Sequence, residues 1–330
     1  MKPEDLERRI EEFARAFSAL RSSLSARLFG QDEALELAGL ALLAGGHVLI
    51  EGAPGLGKTT LVKLLAGALE LSFQRIQFTP DLMPADIVGT RVLEEDGRGH
   101  RGFRFQRGPL FANVVLADEL NRATPRTQSA LLEAMAERQV TVFGETHALE
   151  APFFVAATQN PIEMEGTYPL PEAQLDRFLL EIVIGMPAEA ALRTILERTT
   201  SSEPAPLEAV WKRERLLELR ALVREVPVSS ALLARVARLV LRTQPRDRAA
   251  PERIRRCVVH GASPRGGQAL LLAGKARALA HGRAHLSEED LEALIVPALR
   301  HRLILSFEAE AEGVSREELV RDAWEASAKE

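Results

Sequence analysis

The chain of 330 residues contains a single cysteine, Cys257, and few aromatic residues, which make up 5% of the sequence. One thiol cannot form a disulfide within the chain or provide a structural metal site, so a reducing compartment is indicated. No apolar run approaches the ~18 residues that would span a bilayer. The N-terminal MKPEDLERRIEEF has the pattern of a charged amphipathic helix rather than that of a signal peptide. We therefore expect a cytoplasmic protein.

The sequence also lacks an excess of positive charge. Its 42 Lys and Arg residues are outnumbered by 47 Asp and Glu residues, which gives a net charge of −5. Sequence-independent binding to nucleic acid depends on positive charge opposite the phosphates, so this class of function is not favoured. Apolar residues make up 46% of the sequence, which is ordinary for a folded globular protein, and the length suggests two domains.

Short apolar runs predict an α/β core. The runs are HVLIEG, FQRIQF, NVVLADE, PFFVAATQN and FLLEIVIG. Such runs are typical of strands that are buried on both faces of a mostly parallel sheet. A Ser- and Pro-rich break, TSSEPAP, comes later, and the patterns beyond it are helical. We predict an N-terminal helix and an α/β core with a parallel sheet in residues 1–186, followed by a smaller all-helical lid domain in residues 187–330.

A glycine-rich segment between the first apolar run and a helical pattern predicts a nucleotide site. The segment EGAPGLGKTT fits G-x-x-x-x-G-K-[ST] at every fixed position. In such a P-loop, backbone amides surround the β-phosphate, the lysine (Lys58) balances phosphate charge and the following hydroxyl (Thr59) ligates Mg²⁺. The helix that follows directs its N-terminus at the anion. The predicted nucleotide-binding residues here are Gly52, Ala53, Pro54, Gly55, Leu56, Gly57, Lys58, Thr59 and Thr60.

Two adjacent acids narrow the possible reactions. A phosphate loop alone would fit a kinase, a GTPase or a motor, but NVVLADELNRA adds Asp118 and Glu119 at the end of a buried strand. We predict that Asp118 holds the Mg²⁺ shell and that Glu119 orients or deprotonates the attacking water. The acid pair favours hydrolysis over phosphoryl transfer to a hydroxyl group.

Three further polar residues are candidates for sensing or completing the site. Asn160 ends a strand where its amide can bond both the γ-phosphate and the attacking water, although a turn-forming Asn before Pro161 is the alternative. Arg177 is expected at the surface, where it can reach a neighbouring subunit's γ-phosphate, or it is an ordinary surface charge paired with Asp176 or a nearby acid. Arg265 starts a helix after a Ser-Pro turn and can fold over phosphates when a lid closes, in its own site or a neighbour's.

The segments GAPGLGKT, VVLADELNRA, ATQNP, LPEAQLDRF and GASPRG occur in this order and together resemble the AAA+ ATPases of the MoxR type, in the helix-2-insert clade. The resemblance covers residues from about 29 to 325 and implies bound ATP, Mg²⁺ and a hexameric ring. It places Gly30, Gln31 and Asp32 beside the adenine, so Gln31 is a predicted nucleotide contact. The implied roles are Walker A for Gly52 to Thr60, Walker B for Asp118 and Glu119, sensor 1 for Asn160, arginine finger for Arg177 and sensor 2 for Arg265.

The resemblance also implies two inserted hairpins, in residues 91–108 and 138–152. The second is indicated on physical grounds as well, because VTVFGETHALEA fits two short strands with Gly144 near the turn. MoxR-type relatives are thought to be chaperone-like remodellers that activate client complexes or load them with metals or cofactors. Their frequent partners carry von Willebrand factor A domains, and no such domain is visible in this sequence, so this partner would be a separate protein.

Three alternatives to a protein remodeller stay open. A nucleic-acid motor would use the hairpins to grip DNA, but they offer only Phe103, Phe105 and Phe143 as stacking platforms. A metal-chelatase motor subunit would have the same fold and a metal-loading partner. A passive nucleotide switch would not need the catalytic acid and the finger. The arginine-rich residues 242–257 face either solvent or an acidic client.

Overall fold

The structure is a computed structural model that describes residues 3–95, 101–160, 168–201 and 207–328. All structural statements below concern these residues. Three parts of the sequence discussed above lie outside these ranges. They are residues 96–100 of the first predicted hairpin, Pro161, and most of the TSSEPAP break.

The strands and helices follow one another in the order that the apolar patterns indicate. The strands are β1 (Val48–Gly52), β2 (Phe73–Gln77), β3 (Gly89–Glu95), β4 (Arg101–Arg107), β5 (Val114–Asp118), β6 (Gln139–Val142), β7 (Glu145–Ala148), β8 (Phe154–Gln159), β9 (Leu180–Ile184), β10 (Val258–His260) and β11 (Ile304–Leu305). The first seven helices are α1 (Pro3–Ser25), α2 (Asp32–Ala44), α3 (Lys58–Ala68), α4 (Pro84–Val88), α5 (Pro125–Glu137), α6 (Glu172–Leu175) and α7 (Glu189–Ser201). The later helices are α8 (Arg213–Glu225), α9 (Ser230–Arg242), α10 (Glu252–Cys257), α11 (Pro264–Ala280), α12 (Glu288–Glu292), α13 (Ile295–Leu299), α14 (Phe307–Ala311) and α15 (Arg316–Ser327).

The core of the fold is a five-stranded sheet in the order β2-β5-β8-β1-β9. Every neighbouring pair in it is parallel. These strands are the five apolar runs of the sequence, so the predicted α/β fold with a parallel sheet is confirmed. Because all five run in one direction, the loops after β1, β5 and β8 meet at the same edge, where ligands bind in open α/β sheets.

The two faces of the sheet bury separate apolar layers. Along β1, Val48 and Ile50 belong to the layer formed with α1, α2 and α3, whereas Leu49 belongs to the layer on the opposite face, with α5. Alternate side chains of a strand point to opposite faces, which is why continuous apolar runs were needed here. The edge strand β2 departs from this pattern, because only Ile76 is fully buried in it. The expectation of burial on both faces is therefore wrong for β2.

Five of the helices after residue 207 are capped by serine. Ser229, Ser263, Ser287, Ser306 and Ser315 each precede a helix and accept a hydrogen bond from a backbone N–H of its first turn. A serine cap stabilises a helix by about 1 kcal/mol, because it satisfies a backbone donor that has no partner within the helix. The helix start that the sequence predicts at Ser287 is confirmed.

Two antiparallel hairpins project from the core. The first pairs β3 with β4, and the second pairs β6 with β7 through a turn at Phe143 and Gly144, which have φ values of 50° and 81°. Two consecutive residues with positive φ are typical of the tight turns that match strand twist, so the predicted second hairpin is confirmed. The hairpins contact each other, because the Phe105 ring stacks on His147 with 4.2 Å between centroids and Arg91 pairs with Glu145.

The sheet and the later helices are joined by buried charges. Arg300 donates from Nε to Oε2 of Glu181 at 2.8 Å and from Nη2 to the Glu181 carbonyl oxygen at 3.0 Å. Glu181 lies on β9 and is 8% exposed. Burial raises the pKa of Glu181 to about 7, and the Arg300 guanidinium opposes this shift.

We expect this carboxyl group to make stability depend on pH. A pKa that is raised on folding favours the folded state at low pH, and this contribution is lost as the pH rises from about 4.5 through about 7. The Tm of wild type, minus that of Glu181→Gln, should therefore fall across this range in thermal unfolding scans. Glu317→Gln, which alters the exposed second partner of Arg300, is the matched control. A difference that rises with pH would contradict the assignment.

None of the helices in the described part of the chain combines the length and the apolar character needed to cross a bilayer. The cytoplasmic location and the division of the chain at residue 186 stay predictions.

Candidate functional site

The glycine-rich loop connects β1, which lies between β8 and β9 in the sheet, to the N-terminus of α3. Gly55 and Gly57 have φ values of 81° and 83°, a region that side chains with a β-carbon rarely adopt. A β-carbon added to Gly55 would meet no atom within 4 Å, so the loop is open on that side. The backbone conformation therefore favours glycine at Gly57, a fixed position of the motif, and at Gly55.

Lys58 is the first residue of α3 and turns back onto the loop. Its Nζ donates to the Ala53 carbonyl oxygen at 3.2 Å and also to that of Gly52. Burial lowers the pKa of Lys58, and the carboxylates of Asp118 and Glu119 oppose the shift. The ammonium group is thus close enough to the acid pair for their charges to interact. Thr59 beside it is half-buried, and Thr60 is exposed.

Gln31 joins the segment before α2 to the phosphate loop. Its Nε2 donates to the Leu56 carbonyl oxygen at 2.5 Å. Its Oε1 is buried and has no hydrogen-bond partner among the described residues. A buried acceptor without a partner costs about 1–3 kcal/mol, so this oxygen can gain from a ligand N–H group. Nearby, Gly30 has a φ of 72° and packs closely on Ala191 of α7.

Asp118 ends β5 with both carboxylate oxygens engaged. Oδ1 accepts from Thr158 Oγ1 at 2.6 Å, and Oδ2 accepts from Arg75 Nε and Nη2 at 3.0 and 2.6 Å. The residue is 7% exposed. Hydrogen bonds of this kind fix the orientation of a buried carboxylate.

Glu119 stands in a strained position directly after Asp118. Its φ of 56° is unusual for a residue other than glycine, and its backbone N–H donates to Thr158 Oγ1 at 2.8 Å. Its Oε2 accepts from Gln77 Nε2 at 2.7 Å and from Arg122 Nη1 at 3.0 Å. The carboxylates of Asp118 and Glu119 therefore have different arginine partners, while the Thr158 hydroxyl contacts both residues.

Four residues that contact the acid pair are not identified by the sequence analysis, and one of them is Arg122. The others are Thr158 of β8 and Arg75 and Gln77 of β2. A signal was present, because alternate residues of FQRIQF are polar and therefore share one face of a strand. Since β2 pairs with β5, that face lies beside Asp118.

Asn160 follows β8 and is 5% exposed. Because β8 lies between β5 and β1, Asn160 is at the same edge of the sheet as the loop and the acid pair. Its role as sensor 1 stays a prediction. The alternative turn before Pro161 concerns a residue outside the described ranges.

Arg177 and Arg265 belong to a second group of residues. Arg177 follows α6 and is half-buried, and its Nε is buried without a hydrogen-bond partner among the described residues. Its neighbour Asp176 accepts instead from Arg302 Nε at 2.9 Å and from Ser263 Oγ at 2.7 Å. The alternative that Arg177 pairs with Asp176 is therefore wrong. Arg265 is exposed at the start of α11.

The structure thus brings together the loop, Lys58, Asp118 and Glu119, but not every predicted residue. Within the described ranges, no hydrogen bond or ion pair joins Arg177 or Arg265 to Lys58, Asp118 or Glu119.

The donor set at the sheet edge fits a magnesium nucleotide. The hydroxyl of Thr59 and the carboxylate of Asp118 are hard oxygen ligands, which Mg²⁺ prefers. In the part of the chain that the structure describes, no group of three or more His, Cys, Asp or Glu residues is arranged for a metal ion. Mg²⁺ is commonly held by one or two protein oxygens together with substrate phosphates, so this sparse set is appropriate.

Comparisons with known proteins show the family to which the chain is related. Residues 47–180 match the family model of the ATPases associated with various cellular activities, and residues 250–323 match the model of the AAA lid domain. Chaperone MoxR1 of Mycobacterium tuberculosis is 42% identical over 88% of this chain and 76% of its own. Protein MoxR of Methylorubrum extorquens is 32% identical over 88% of each chain. The uncharacterised protein YeaC of Bacillus subtilis is 43% identical over 87% of this chain and 86% of its own.

A crystal structure of a Cytophaga hutchinsonii protein assigned as an ATPase superposes with a TM-score of 0.90, at 35% identity, over 98% of this chain and 97% of that one. The two family-model matches and this superposition support the α/β P-loop fold followed by a lid domain. The chain belongs to the MoxR-type AAA+ ATPases.

Proposed function

We propose that the chain binds MgATP in its glycine-rich loop and hydrolyses it to ADP and phosphate. The observation that carries this proposal is the orientation of Glu119, whose left-handed backbone is fixed by Thr158 beside Asp118 and Lys58. Holding a residue in a sparsely populated conformation costs about 1–3 kcal/mol, and such strain is concentrated at functional sites.

In this proposal each residue has a distinct task. The amides of the loop and the Lys58 ammonium bind the phosphates, and Thr59 and Asp118 hold Mg²⁺, which supplies positive charge to the phosphate oxygens when bound. Glu119 orients the attacking water and accepts its proton, while Gln77 and Arg122 hold its carboxylate. Asn160 hydrogen-bonds the γ-phosphate and the water. Gln31 contacts the base through its Oε1.

We further propose that the working form is a ring, with six subunits as the resemblance implies. Arg177 supplies positive charge to the γ-phosphate of a neighbouring subunit. Heterologous contacts of this kind, in which one surface meets a different surface of the next copy, close into rings. Hydrolysis would then move the helices that carry Arg265 and the two hairpins.

The client is proposed to be a protein complex. A relative from Mycobacterium tuberculosis is named a chaperone, which supports a remodelling role, with a separate von Willebrand factor A protein as partner and metal or cofactor loading as one outcome. On the first hairpin, Arg101 pairs with Glu95 at 3.0 Å and Arg104 with Glu94 at 3.3 Å. These pairs compensate the charge that would bind nucleic acid phosphates.

Two assays separate the alternatives. A nucleic-acid motor should give gel shifts that weaken steeply with salt, and we expect none. A chelatase subunit should show ATPase stimulation by a metal-loading partner, and a chaperone should show stimulation by its client.

Nucleotide binding itself is tested with Lys58→Ala. Removing a charged hydrogen-bond donor of about 1.5–3 kcal/mol should weaken the affinity for ATP by about tenfold to a hundredfold. Titration with a fluorescent ATP analogue measures the Kd. Lys63→Ala changes an exposed lysine of the same helix and should bind as wild type does. Equal affinity of wild type and Lys58→Ala would refute the phosphate role of the loop.

A further inference from the structure

Asp176, the residue before the proposed finger, connects the sheet to the later helices. Its Oδ1 accepts from Arg302 Nε at 2.9 Å, and its Oδ2 accepts from Ser263 Oγ at 2.7 Å. The two partners are separated from Asp176 by 126 and 87 positions in the chain. Both oxygens of this carboxylate are therefore held by residues of the helical region.

Arg302 fixes the backbone around Asp176 as well. Its side chain is 2% exposed. Its Nη2 donates to the carbonyl oxygens of Asp176 and Phe178 at 3.2 and 2.6 Å. A planar guanidinium with several donors in a fixed arrangement orients the groups that accept from it. The backbone on both sides of Arg177 is thus anchored.

Ser263 contacts both the segment before Arg177 and the start of the helix that carries Arg265. As the cap of α11 it accepts from the backbone N–H of Arg265 at 3.0 Å, and the same hydroxyl donates to Asp176. A shift of the N-terminus of α11 would change this contact directly.

Arg177 itself has no anchor of this kind. Its Nε has no hydrogen-bond partner, and no ion pair of its guanidinium occurs among the described residues. An arginine next to an aspartate would ordinarily be free to pair with it. Here the aspartate is already engaged, which leaves the charge of Arg177 available to another molecule.

We propose that Asp176 is a positioning residue for Arg177. While Ser263 and Arg302 hold its carboxylate, Arg177 stays unpaired and correctly placed. When α11 moves, Oδ2 of Asp176 loses the Ser263 hydroxyl and becomes free to pair with Arg177, so that the position of the Arg265 helix controls the finger. This inference rests on the proposed ATP hydrolysis and on the role of Arg177 in it.

The test replaces the donor at residue 263 and keeps the helix cap. Aspartate caps as well as serine does, but Ser263→Asp sets a second carboxylate against Asp176. Displacing Asp176 towards Arg177 should lower kcat about tenfold, which corresponds to about 1.4 kcal/mol of barrier, while the Kd for ATP stays as in wild type. Ser263→Thr retains the hydroxyl, so its kcat should equal that of wild type. Ser263→Gly keeps most of the capping and removes the donor without adding charge, so it should lower kcat less than Ser263→Asp does.

A matched control and a double mutant distinguish positioning from stability. Ser229→Ala removes the cap of α9, which has no contact with Asp176, and should lower Tm without changing kcat. In an Arg177→Ala background, Ser263→Asp should have no further effect, because both changes act through one group. Asp176→Asn should raise the kcat of Ser263→Asp, because asparagine neither repels the new carboxylate nor neutralises Arg177.

The experiments distinguish a failure of the proposed function from a failure of the positioning role. A wild type that does not hydrolyse ATP overturns the proposed function. If wild type hydrolyses ATP and Arg177→Ala does so far more slowly, the proposed function stands. In that case either of two results overturns the positioning role of Asp176. One is an unchanged kcat in Ser263→Asp, and the other is a loss of kcat from Ser263→Asp that is as large in the Arg177→Ala background as in wild type.

Discussion

Arg177→Ala is expected to lower the kcat of ATP hydrolysis by about three orders of magnitude, the lower end of the range for an arginine finger, without weakening ATP binding. The reason is the proposed role of Arg177, which is to supply charge to a neighbour's site. Among the described residues no hydrogen bond or ion pair joins Arg177 to Lys58, Asp118 or Glu119 of its own chain. Steady-state phosphate release and equilibrium binding of an ATP analogue measure the two quantities. Arg193→Ala, which alters an exposed arginine on α7, is the control.

Mixing two inactive variants tests whether Arg177 acts across subunits. An Arg177→Ala subunit keeps its phosphate loop, and a Lys58→Ala subunit keeps its finger. In a randomly mixed ring, roughly one quarter of the interfaces would combine an intact loop with an intact finger, so turnover should reappear at roughly that fraction of wild type. A mixture no more active than its components would show that Arg177 does not serve a neighbouring site.

Glu119→Gln is expected to bind ATP as wild type does and to lose turnover by about two to four orders of magnitude. Glutamine retains the shape and can still orient a water, but it cannot accept the proton. Single-turnover hydrolysis separates the chemical step from binding and product release. Glu133→Gln, at an exposed position of α5, is the matched control. A Glu119→Gln protein that turns over at the wild-type rate would remove the catalytic assignment.

The sheet could be predicted from the sequence because each buried strand needs apolar side chains on both faces. That requirement leaves a continuous run in β5 and β8, which is visible without any partner. The same reasoning was wrong for β2, where only Ile76 is fully buried, because an edge strand has one neighbour and tolerates polar side chains. The order of the strands was not predictable from these runs.

The site could be predicted only where its chemistry depends on short spacing. The loop and the acid pair are contiguous in the sequence, so their patterns carry the information. Arg75 and Thr158 contact Asp118 from 43 and 40 positions away, and no local pattern records such distances. The partners of Asp176 are farther still, which is why its pairing with Arg177 was left open.

The contact between the two hairpins has a mechanical consequence. Phe105 stacks on His147, Arg91 bridges to Glu145, and the Arg91 guanidinium lies over the Phe143 ring at 5.5 Å. A load applied to either projection is therefore shared with the other through side chains, without passing through the sheet. The first insertion ends at Arg107 and the second begins at Gln139, yet the two hairpins form one stiffened unit rather than two independent projections.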